Sequence, residues 1–224
     1  MNTMLRTPES ELMDDEAQAR AYAEADFSEP HERFVALFRE AFPDEPLAGM
    51  VLDLGCGPAD VTLRLARAYP ACRIDGLDGA EAMLRLGRAA VLKAGLEHRV
   101  RLHRGYLPGA LPPRAEYDAV VSNSLLHHLA DPRTLWDTIK RWGRPGAAVL
   151  VMDLMRPETP AQVAALVQAH AADAPEVLRR DFENSLRAAY RVEEVREQIA
   201  EAGLFCLEVR AVSDRHLAVT GRLA

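Results

Sequence analysis

The chain has 224 residues, which is enough for one α/β domain with a substantial core and short for two. Its apolar fraction of 49% and charged fraction of 27% are ordinary for a globular protein. The net charge of −7 arises in residues 1–50, which hold 12 acids and 4 bases, and the remainder is close to neutral. Because no basic face dominates, we expect no nucleic-acid partner.

Targeting and cysteine signals are weak. The N-terminus is charged and lacks an apolar core followed by a cleavage site, so we expect no secretion signal. The apolar run 147–152 is too short to span a bilayer, and we expect a cytoplasmic protein without membrane contact. Cys56, Cys72 and Cys206 have no C-x-x-C spacing and no histidine at ligand spacing, so we expect neither a disulfide framework nor a metal site.

The N-terminal segment is predicted to be helical in part. Residues 1–16 are polar and acidic, and we expect them to be frayed or to form a short helix. Helices are predicted over 17–27 and 31–42, with a break at Ser28-Glu29-Pro30 between them. The segment 43–49 then leads into the first strand.

Residues 51–62, Val-Leu-Asp-Leu-Gly-Cys-Gly-Pro-Ala-Asp-Val-Thr, predict a strand, a tight turn and the start of a helix. The apolar run 51–54 is typical of a buried parallel strand. Gly55 and Gly57 then permit backbone angles that other residues avoid. Such a turn before a helix lets the backbone approach a nucleotide-like ligand closely.

Asp78 supports a nucleoside pocket at this turn. It ends a second predicted strand, 73–77, and lies 25 residues beyond Asp53. At that spacing an acid reaches the tip of the neighbouring strand, where its carboxylate can accept hydrogen bonds from ribose hydroxyls. Two features in this order favour ligand binding over packing alone.

The rest of the chain continues the alternation of helices and strands. The further predicted helices are 60–68, 80–94, 135–142, 160–171 and 192–202, and the further strands are 100–103, 117–122, 147–153, 204–212 and 216–221. Gly95 is expected to cap the helix before it. The last two strands are joined closely and are expected to pair antiparallel, with Asp214-Arg215-His216 interpreted as turn residues.

Two motifs carry a family resemblance. Asp53-Leu54-Gly55-Cys56-Gly57 with Gly76-Leu77-Asp78 resembles the cofactor signature of class I S-adenosylmethionine-dependent methyltransferases, and the run 117–129, which ends in His127-His128-Leu129, resembles their fourth strand. The family commonly has a third glycine where this chain has Ala59, and an alanine at a helix start is usually tolerable if φ stays negative. The fuller G-x-G-x-x-G of dinucleotide dehydrogenases is not completed, because Asp60 stands at its third glycine.

The resemblance implies an α/β, Rossmann-like doubly wound fold. Its seven-stranded sheet would be mostly parallel with an antiparallel last strand. Residues 1–224 would form a single domain, with a helical N-terminal lid over 1–48 and a substrate-capping insert, 154–191, after strand 5. The cofactor would be S-adenosyl-L-methionine and its product S-adenosyl-L-homocysteine. The expected cofactor-binding residues are Asp53, Gly55, Cys56, Gly57, Asp78, Gly79, Met83, Gly105, Tyr106, Leu107, Asn123 and Ser124.

His127 is the candidate catalytic residue, as a general base or as a group that orients the substrate. Adjacent helical positions diverge by about 100°, so we do not expect both His127 and His128 to face the reacting centre. The alternative is that both histidines are satisfied by packing. Tyr106 either borders the adenine ring or lies on the surface.

The expected substrate-binding residues lie in the lid and the insert. They are Tyr22, Asp26, Phe27, Asp153, Arg156, Arg180 and Asn184. The two arginines would suit an anionic group. Alternatively, they pair with Asp153 and Asp181 to hold the insert together, and the lid aromatics pack on the sheet.

The predicted reaction is in-line methyl transfer to an oxygen, nitrogen or carbon atom of a small-molecule acceptor, without a catalytic metal. Two alternatives stay open: another use of the same cofactor, such as cyclisation, and a non-catalytic partner subunit. RNA methylation is disfavoured by the charge balance. The sequence sets no oligomeric state.

Overall fold

A computed structural model describes residues 4–9, 14–43 and 47–224. The parts of the expected lid at 1–3, 10–13 and 44–46 lie outside the described residues. In chain order the elements are α1 Glu16–Glu24, α2 Ser28–Ala41, β1 Gly49–Leu54, α3 Asp60–Ala68, β2 Cys72–Asp78, α4 Glu81–Lys93, β3 Val100–Arg104, β4 Tyr117–Asn123, a 3-10 turn Leu126–His128, α5 Arg133–Trp142, β5 Gly143–Leu154, α6 Pro160–Ala171, α7 Glu176–Ala188, α8 Val192–Glu201, β6 Leu207–Ala211 and β7 His216–Arg222.

The seven strands form one sheet in the order β3-β2-β1-β4-β5-β7-β6. The pairs among β1 to β5 are parallel, whereas β7 runs antiparallel to both of its neighbours. The prediction of a mostly parallel sheet with an antiparallel last strand is therefore confirmed. The strand order reverses between β1 and β4, and this switch point is where ligands bind in doubly wound sheets.

The core lies on both faces of the sheet. Because neighbouring residues of a strand point to opposite faces, Val51 and Leu52 in β1 enter different layers. Val51 packs with Phe34, Leu37 and Phe38 of α2 in one cluster. On the other face, Leu52 belongs to the cluster that contains Trp136 of α5 and Val195 of α8. Burial on both faces explains why these strands read as continuous apolar runs.

Most helix bounds follow local signals. Thr159 caps α6 with a capping box, and Pro160 occupies its first turn, so the helix starts where the sequence predicts. The bounds predicted for α2 are wrong, because that helix begins at Ser28 and takes Pro30 into its first turn. A proline is tolerated there, where its missing N–H would have no helical partner. In the described ranges, the helices lack the combined length and apolar character that crossing a membrane requires.

Residues 4–9, called the N-terminal strap below, are neither frayed nor helical as expected. The strap has no regular secondary structure, and the Met4 N–H donates to the Glu158 carbonyl at 2.9 Å and the Thr7 N–H to the Arg187 carbonyl at 3.0 Å. Arg6 donates to the Ala188 carbonyl at 2.5 Å and to the His127 carbonyl at 2.9 Å. The strap is therefore tied to α7 and to the 3-10 turn by hydrogen bonds from both backbone and side chain.

Candidate functional site

A cavity of about 1020 Å³ opens at the carboxyl ends of β1, β2 and β4. Its floor is the turn that follows β1, and its walls come from α1, α2, α6 and α7 and from the start of β7. All twelve residues expected to bind the cofactor line this cavity, as do Tyr22, Asp26, Phe27 and His127. One cavity therefore brings the two family motifs and the expected lid residues together.

The glycine turn leaves room for a ligand at one position. Gly55 and Gly57 both have positive φ, at +71° and +50°. A Cβ at Gly55 would meet the Leu125 side chain at 3.0 Å, whereas a Cβ at Gly57 would meet no atom within 4 Å. Because Gly57 lines the cavity, a side chain there would fill space that the turn leaves open.

Ala59 does not meet the condition of a negative φ under which an alanine is easily tolerated at a helix start. Ala59 caps the start of α3 in the left-handed region, with φ 68° and ψ 19°. Its N–H donates to the Cys56 carbonyl at 2.9 Å, which closes the turn before the helix. A non-glycine residue in this region costs about 1–2 kcal/mol, so the position meets the same backbone demand that a third glycine would meet.

Asp78 is tied to the glycine turn. One carboxylate oxygen accepts a hydrogen bond from the Gly57 N–H at 2.8 Å, and the other accepts one from the Ala80 N–H at 2.8 Å. Burial raises the pKa of Asp78, and the two backbone donors oppose this rise. A carboxylate has about four acceptor sites, so Asp78 can hold the turn and still accept hydrogen bonds from a ligand.

The tip of β4 carries an acceptor without a partner. Among the described residues, the buried Oδ1 of Asn123 has no hydrogen-bond partner, although a buried polar atom normally has one. The next residue, Ser124, has a positive φ of 56°. Strained non-glycine residues cluster at ligand sites. Asn123 lines the same cavity as Asp78, and an amide oxygen can accept a hydrogen bond from a donor such as an ammonium group.

Tyr106, at the end of β3, lines the cavity and is 50% exposed. Its hydroxyl accepts a hydrogen bond from Arg104 at 3.3 Å. Both alternatives from the sequence thus describe part of its position, since the ring borders the cavity while its outer half lies at the surface.

Asp53, beneath the turn, is only 2% exposed and accepts a hydrogen bond from the Thr62 hydroxyl at 2.6 Å. Burial raises the pKa of Asp53 to about 7, although the Thr62 hydroxyl acts in the opposite direction. A raised pKa means that the folded state binds the proton more tightly than the unfolded state. Asp53 therefore stabilises the fold at low pH, and this contribution is lost as pH rises through about 7.

This linkage predicts that Asp53→Asn flattens the pH dependence of stability. The free energy of unfolding of the variant minus that of wild type should increase by about 2 kcal/mol as the pH rises from about 5.5 to 8. The reason is that only wild type must ionise a buried carboxyl over this range. Urea unfolding of both proteins at several pH values measures this, and groups common to both cancel in the difference. Equal pH slopes for the two proteins would contradict it.

His127 is held by a buried carboxylate. Its Nδ1 lies 2.5 Å from an oxygen of Asp153, which also accepts hydrogen bonds from the Leu126 and Leu154 N–H groups at 2.7 and 2.8 Å. Burial alone would lower the pKa of His127, but the negative charge of Asp153 has the larger effect, so the pKa is raised. Asp153 thus fixes the ring and leaves Nε2 on the side away from Asp153.

The divergence expected of two adjacent helical positions is not found at the paired histidines. His127 and His128 both line the cavity, with ring centroids 4.1 Å apart and ring planes 36° apart. The estimate assumed a regular α-helix, whereas these residues lie in a single 3-10 turn. The two rings therefore form one imidazole-rich wall.

Four of the expected substrate-binding residues lie outside the cavity lining. The carboxylate of Asp153 contacts His127 and accepts hydrogen bonds from two backbone N–H groups, as described above. Arg156 is 4% exposed, pairs with Glu194 and donates to the Ala189 carbonyl at 2.7 Å. Arg180 and Asn184 point to the exposed side of α7. Their neighbours Asp181, Phe182 and Ser185 line the cavity instead.

Arg215 and His216, at the start of β7, line the cavity but were not expected there. Arg215 pairs with Glu29 at 2.7 Å and with Asp214 at 3.0 Å. Burial lowers the pKa of His216 to about 4. The predicted antiparallel last strand was a usable signal, because such a strand begins beside the carboxyl end of β5. His216 pairs with Leu154 at that point. Interpreting 214–216 as turn residues missed it.

The sheet order, the glycine turn and the Asp78 site define a class I S-adenosylmethionine-dependent methyltransferase fold. A family model described as a methyltransferase domain matches residues 51–146, which are less than half of the chain.

The curated relatives match about half of this chain. An uncharacterized methyltransferase of Mycobacterium tuberculosis is 34% identical over 107 residues, which are 48% of this chain and 51% of that protein. The trans-aconitate 2-methyltransferase of an Azoarcus species is 32% identical over 105 residues, 46% of this chain and 38% of the relative. The chain thus matches at most about half the length of these relatives.

Solved structures share the fold over nearly the whole chain. A SAM-dependent methyltransferase from Aquifex aeolicus has a TM-score of 0.68 at 18% identity, covering 94% of this chain and 99% of that one. A plantazolicin methyltransferase in complex with a triazolic desmethylPZN analogue and SAH has a TM-score of 0.70 at 11% identity, covering 94% of this chain and 92% of that one. At such identities the likeness shows the fold alone.

Proposed function

We propose that this protein is an S-adenosylmethionine-dependent methyltransferase that acts on a small-molecule acceptor by in-line transfer to oxygen, nitrogen or carbon. The observation that carries the proposal is the hydrogen bond between Asp78 and the glycine turn. The Asp78 carboxylate binds the Gly57 N–H at 2.8 Å, and both residues line one cavity. The methyltransferase names of the relatives support the same activity.

Each part of the cavity floor suits one part of the cofactor. Asp78 would accept hydrogen bonds from the ribose hydroxyls. The open space at Gly57 and the unpartnered oxygen of Asn123 suit the amino-acid portion, whose ammonium group is a donor. The residues that would enclose the base and sugar are Gly79, Met83, Gly105, Tyr106 and Leu107. The cofactor would supply a methyl group already activated by its sulfonium.

The protein would then position the acceptor and exclude water. Tyr22 and Phe27, whose ring centroids are 4.7 Å apart, form an aromatic wall of the cavity opposite the sheet. His127 would orient an acceptor or take its proton through Nε2, because Asp153 occupies Nδ1.

The proposal does not specify an anionic acceptor. Arg156 and Arg180, which were expected to grip an anion, lie outside the cavity lining, and Arg215 at the cavity is already paired with two carboxylates. The relatives include proteins named for trans-aconitate and demethylmenaquinone, which are both small molecules. A small acceptor of either charge fits the proposal.

An activity screen tests this function. Purified protein is incubated with S-adenosylmethionine and sets of small phenols, amines and carboxylic acids, and the products are followed by mass spectrometry. The expected result is S-adenosylhomocysteine together with an acceptor that is one methyl group heavier. Cofactor consumption with a product that has gained no methyl would indicate the alternative chemistry, and cofactor binding without turnover of any acceptor would favour a non-catalytic subunit.

A further inference from the structure

We propose that Glu9, His127 and His128 form a binding site for a divalent transition-metal ion of the zinc type on the wall of the cavity. The carboxylate oxygen of Glu9 lies 3.5 Å from Nε2 of His127 and 3.3 Å from Nδ1 of His128. One ligand atom from each residue falls within 4.8 Å of the others. The inference goes beyond methyl transfer and does not depend on it.

The spacing suits a four-coordinate ion. Around zinc, nitrogen and oxygen ligands lie at about 2.0–2.1 Å, so tetrahedral ligand atoms lie roughly 3.3–3.4 Å from one another. The two distances from Glu9 to the imidazoles are close to this value. An ion-pair hydrogen bond would instead bring nitrogen and oxygen to about 2.7–2.9 Å. The carboxylate therefore lies between the two imidazoles at distances that match ligand spacing more closely than a short ion-pair hydrogen bond.

The surrounding groups orient the ligands as metal sites require. Asp153 takes the Nδ1 side of His127 at 2.5 Å, which directs Nε2 toward Glu9. A carboxylate on the far nitrogen is the usual partner of a metal-bound histidine, because it fixes the tautomer and raises ligand basicity. Glu9 is held in turn by the Ser185 hydroxyl, which donates to it at 2.9 Å.

The donor set selects the class of ion. Two imidazoles and one carboxylate suit zinc and other first-row transition metals, whereas magnesium and calcium prefer oxygen ligands alone. Three protein ligands leave a fourth position for water or substrate. Since both histidines line the cavity, that position would face the space proposed for the acceptor.

The ion would change the role of His127. Its Nε2 cannot both bind a metal and accept a proton, so in the metal-bound protein an acceptor hydroxyl would be made acidic by the ion rather than deprotonated by His127. The ion would also cross-link the N-terminal strap, which supplies Glu9, to the 3-10 turn, which supplies the histidines. Metal binding should therefore protect the strap from exchange.

The test begins with the wild-type chain carrying no polyhistidine tag. After treatment with a chelator and its removal, the protein is titrated with Co²⁺ and with Zn²⁺ by absorption spectroscopy and calorimetry. We expect one ion per chain, visible Co²⁺ bands of tetrahedral intensity, and slower hydrogen exchange in residues 4–9. Absence of one-to-one binding by wild type overturns the proposal and leaves Glu9 as an ionic partner of the histidines.

Variants locate the ion. Glu9→Gln and His128→Gln should each weaken binding by more than the roughly 10- to 100-fold expected for Asp153→Asn, which removes only an orienting group. His98→Gln is the matched control, since His98 is exposed in the loop between α4 and β3 and should leave binding unchanged. Full affinity in both Glu9→Gln and His128→Gln would place the ion elsewhere and overturn the assignment. Thermal unfolding of each variant shows that it is folded.

Discussion

Replacing Asp78 by Ala is expected to weaken the binding of S-adenosylhomocysteine about 100-fold. Two hydrogen bonds from ribose hydroxyls to a charged acceptor contribute about 1.5–3 kcal/mol each, and 1.4 kcal/mol is a factor of ten in affinity. The loss should be at least this large, because Asp78 also holds the Gly57 N–H and so shapes the turn on which the cofactor would lie. Calorimetric titration of wild type and variant measures it.

Asp118→Asn is the matched control. Asp118 also lies on a strand and accepts a backbone hydrogen bond, from the Met50 N–H at 2.6 Å, but it sits at the opposite end of β4 from the cavity. It also pairs with Arg144 at 2.7 Å. Its replacement should lower thermal stability while leaving affinity unchanged. An Asp78→Ala protein that is folded and binds within about threefold of wild type, or about 0.7 kcal/mol, would refute the ribose role.

Asp153→Asn is expected to lower the free energy of unfolding by about 3–5 kcal/mol, the usual cost of breaking a buried ion pair. Asp153 is 1% exposed and accepts hydrogen bonds from two backbone N–H groups in addition to its contact with His127. An amide cannot replace all of these acceptor contacts. Denaturant unfolding in the presence of a chelator measures the loss without any metal contribution.

The pH dependence separates the ion pair from the hydrogen bonds. Burial alone would raise the pKa of Asp153, but the interaction with His127 has the larger effect, so the pKa is lowered. Its stabilising contribution is therefore present above about pH 4 and is lost as pH falls. The raised pKa of His127 gives a contribution that is complete below about pH 6.5 and is lost as pH rises.

The penalty of Asp153→Asn should accordingly be largest between about pH 4 and 6.5 and should decrease above that range. The double variant with His127→Gln is expected to lose less than the sum of the single variants, because neither change then leaves an unpaired buried charge. A penalty independent of pH, with additive single variants, would show that the pair contributes nothing beyond the backbone hydrogen bonds.

The sheet and the convergence of the expected cofactor residues on one cavity could be predicted because their signals are local. The run 51–62 encodes a strand, a turn and a helix in consecutive residues, and Asp78 follows at the spacing of one βα unit. Parallel strands bring their carboxyl ends to one edge of the sheet. Residues that end β1, β2 and β4 therefore meet in the cavity whatever the loops do.

Several of the wrong predictions concern contacts between distant segments. Arg156 was expected to face the substrate but pairs with Glu194, which is 38 residues away. The strap has no periodic pattern, yet Arg6 bonds a carbonyl 182 residues away. Glu9 meets the imidazole pair in the same way. No periodicity or spacing encodes such a pairing, because it depends on how α7 and the 3-10 turn pack after the sheet has formed.

The most direct measurement is calorimetric titration of the wild-type protein with S-adenosylmethionine and S-adenosylhomocysteine. We expect both to bind one to one, since Asp78, the open floor at Gly57 and Asn123 would contact parts that the two molecules share. Failure of both to bind the folded protein would contradict the account and leave the cavity to a different ligand.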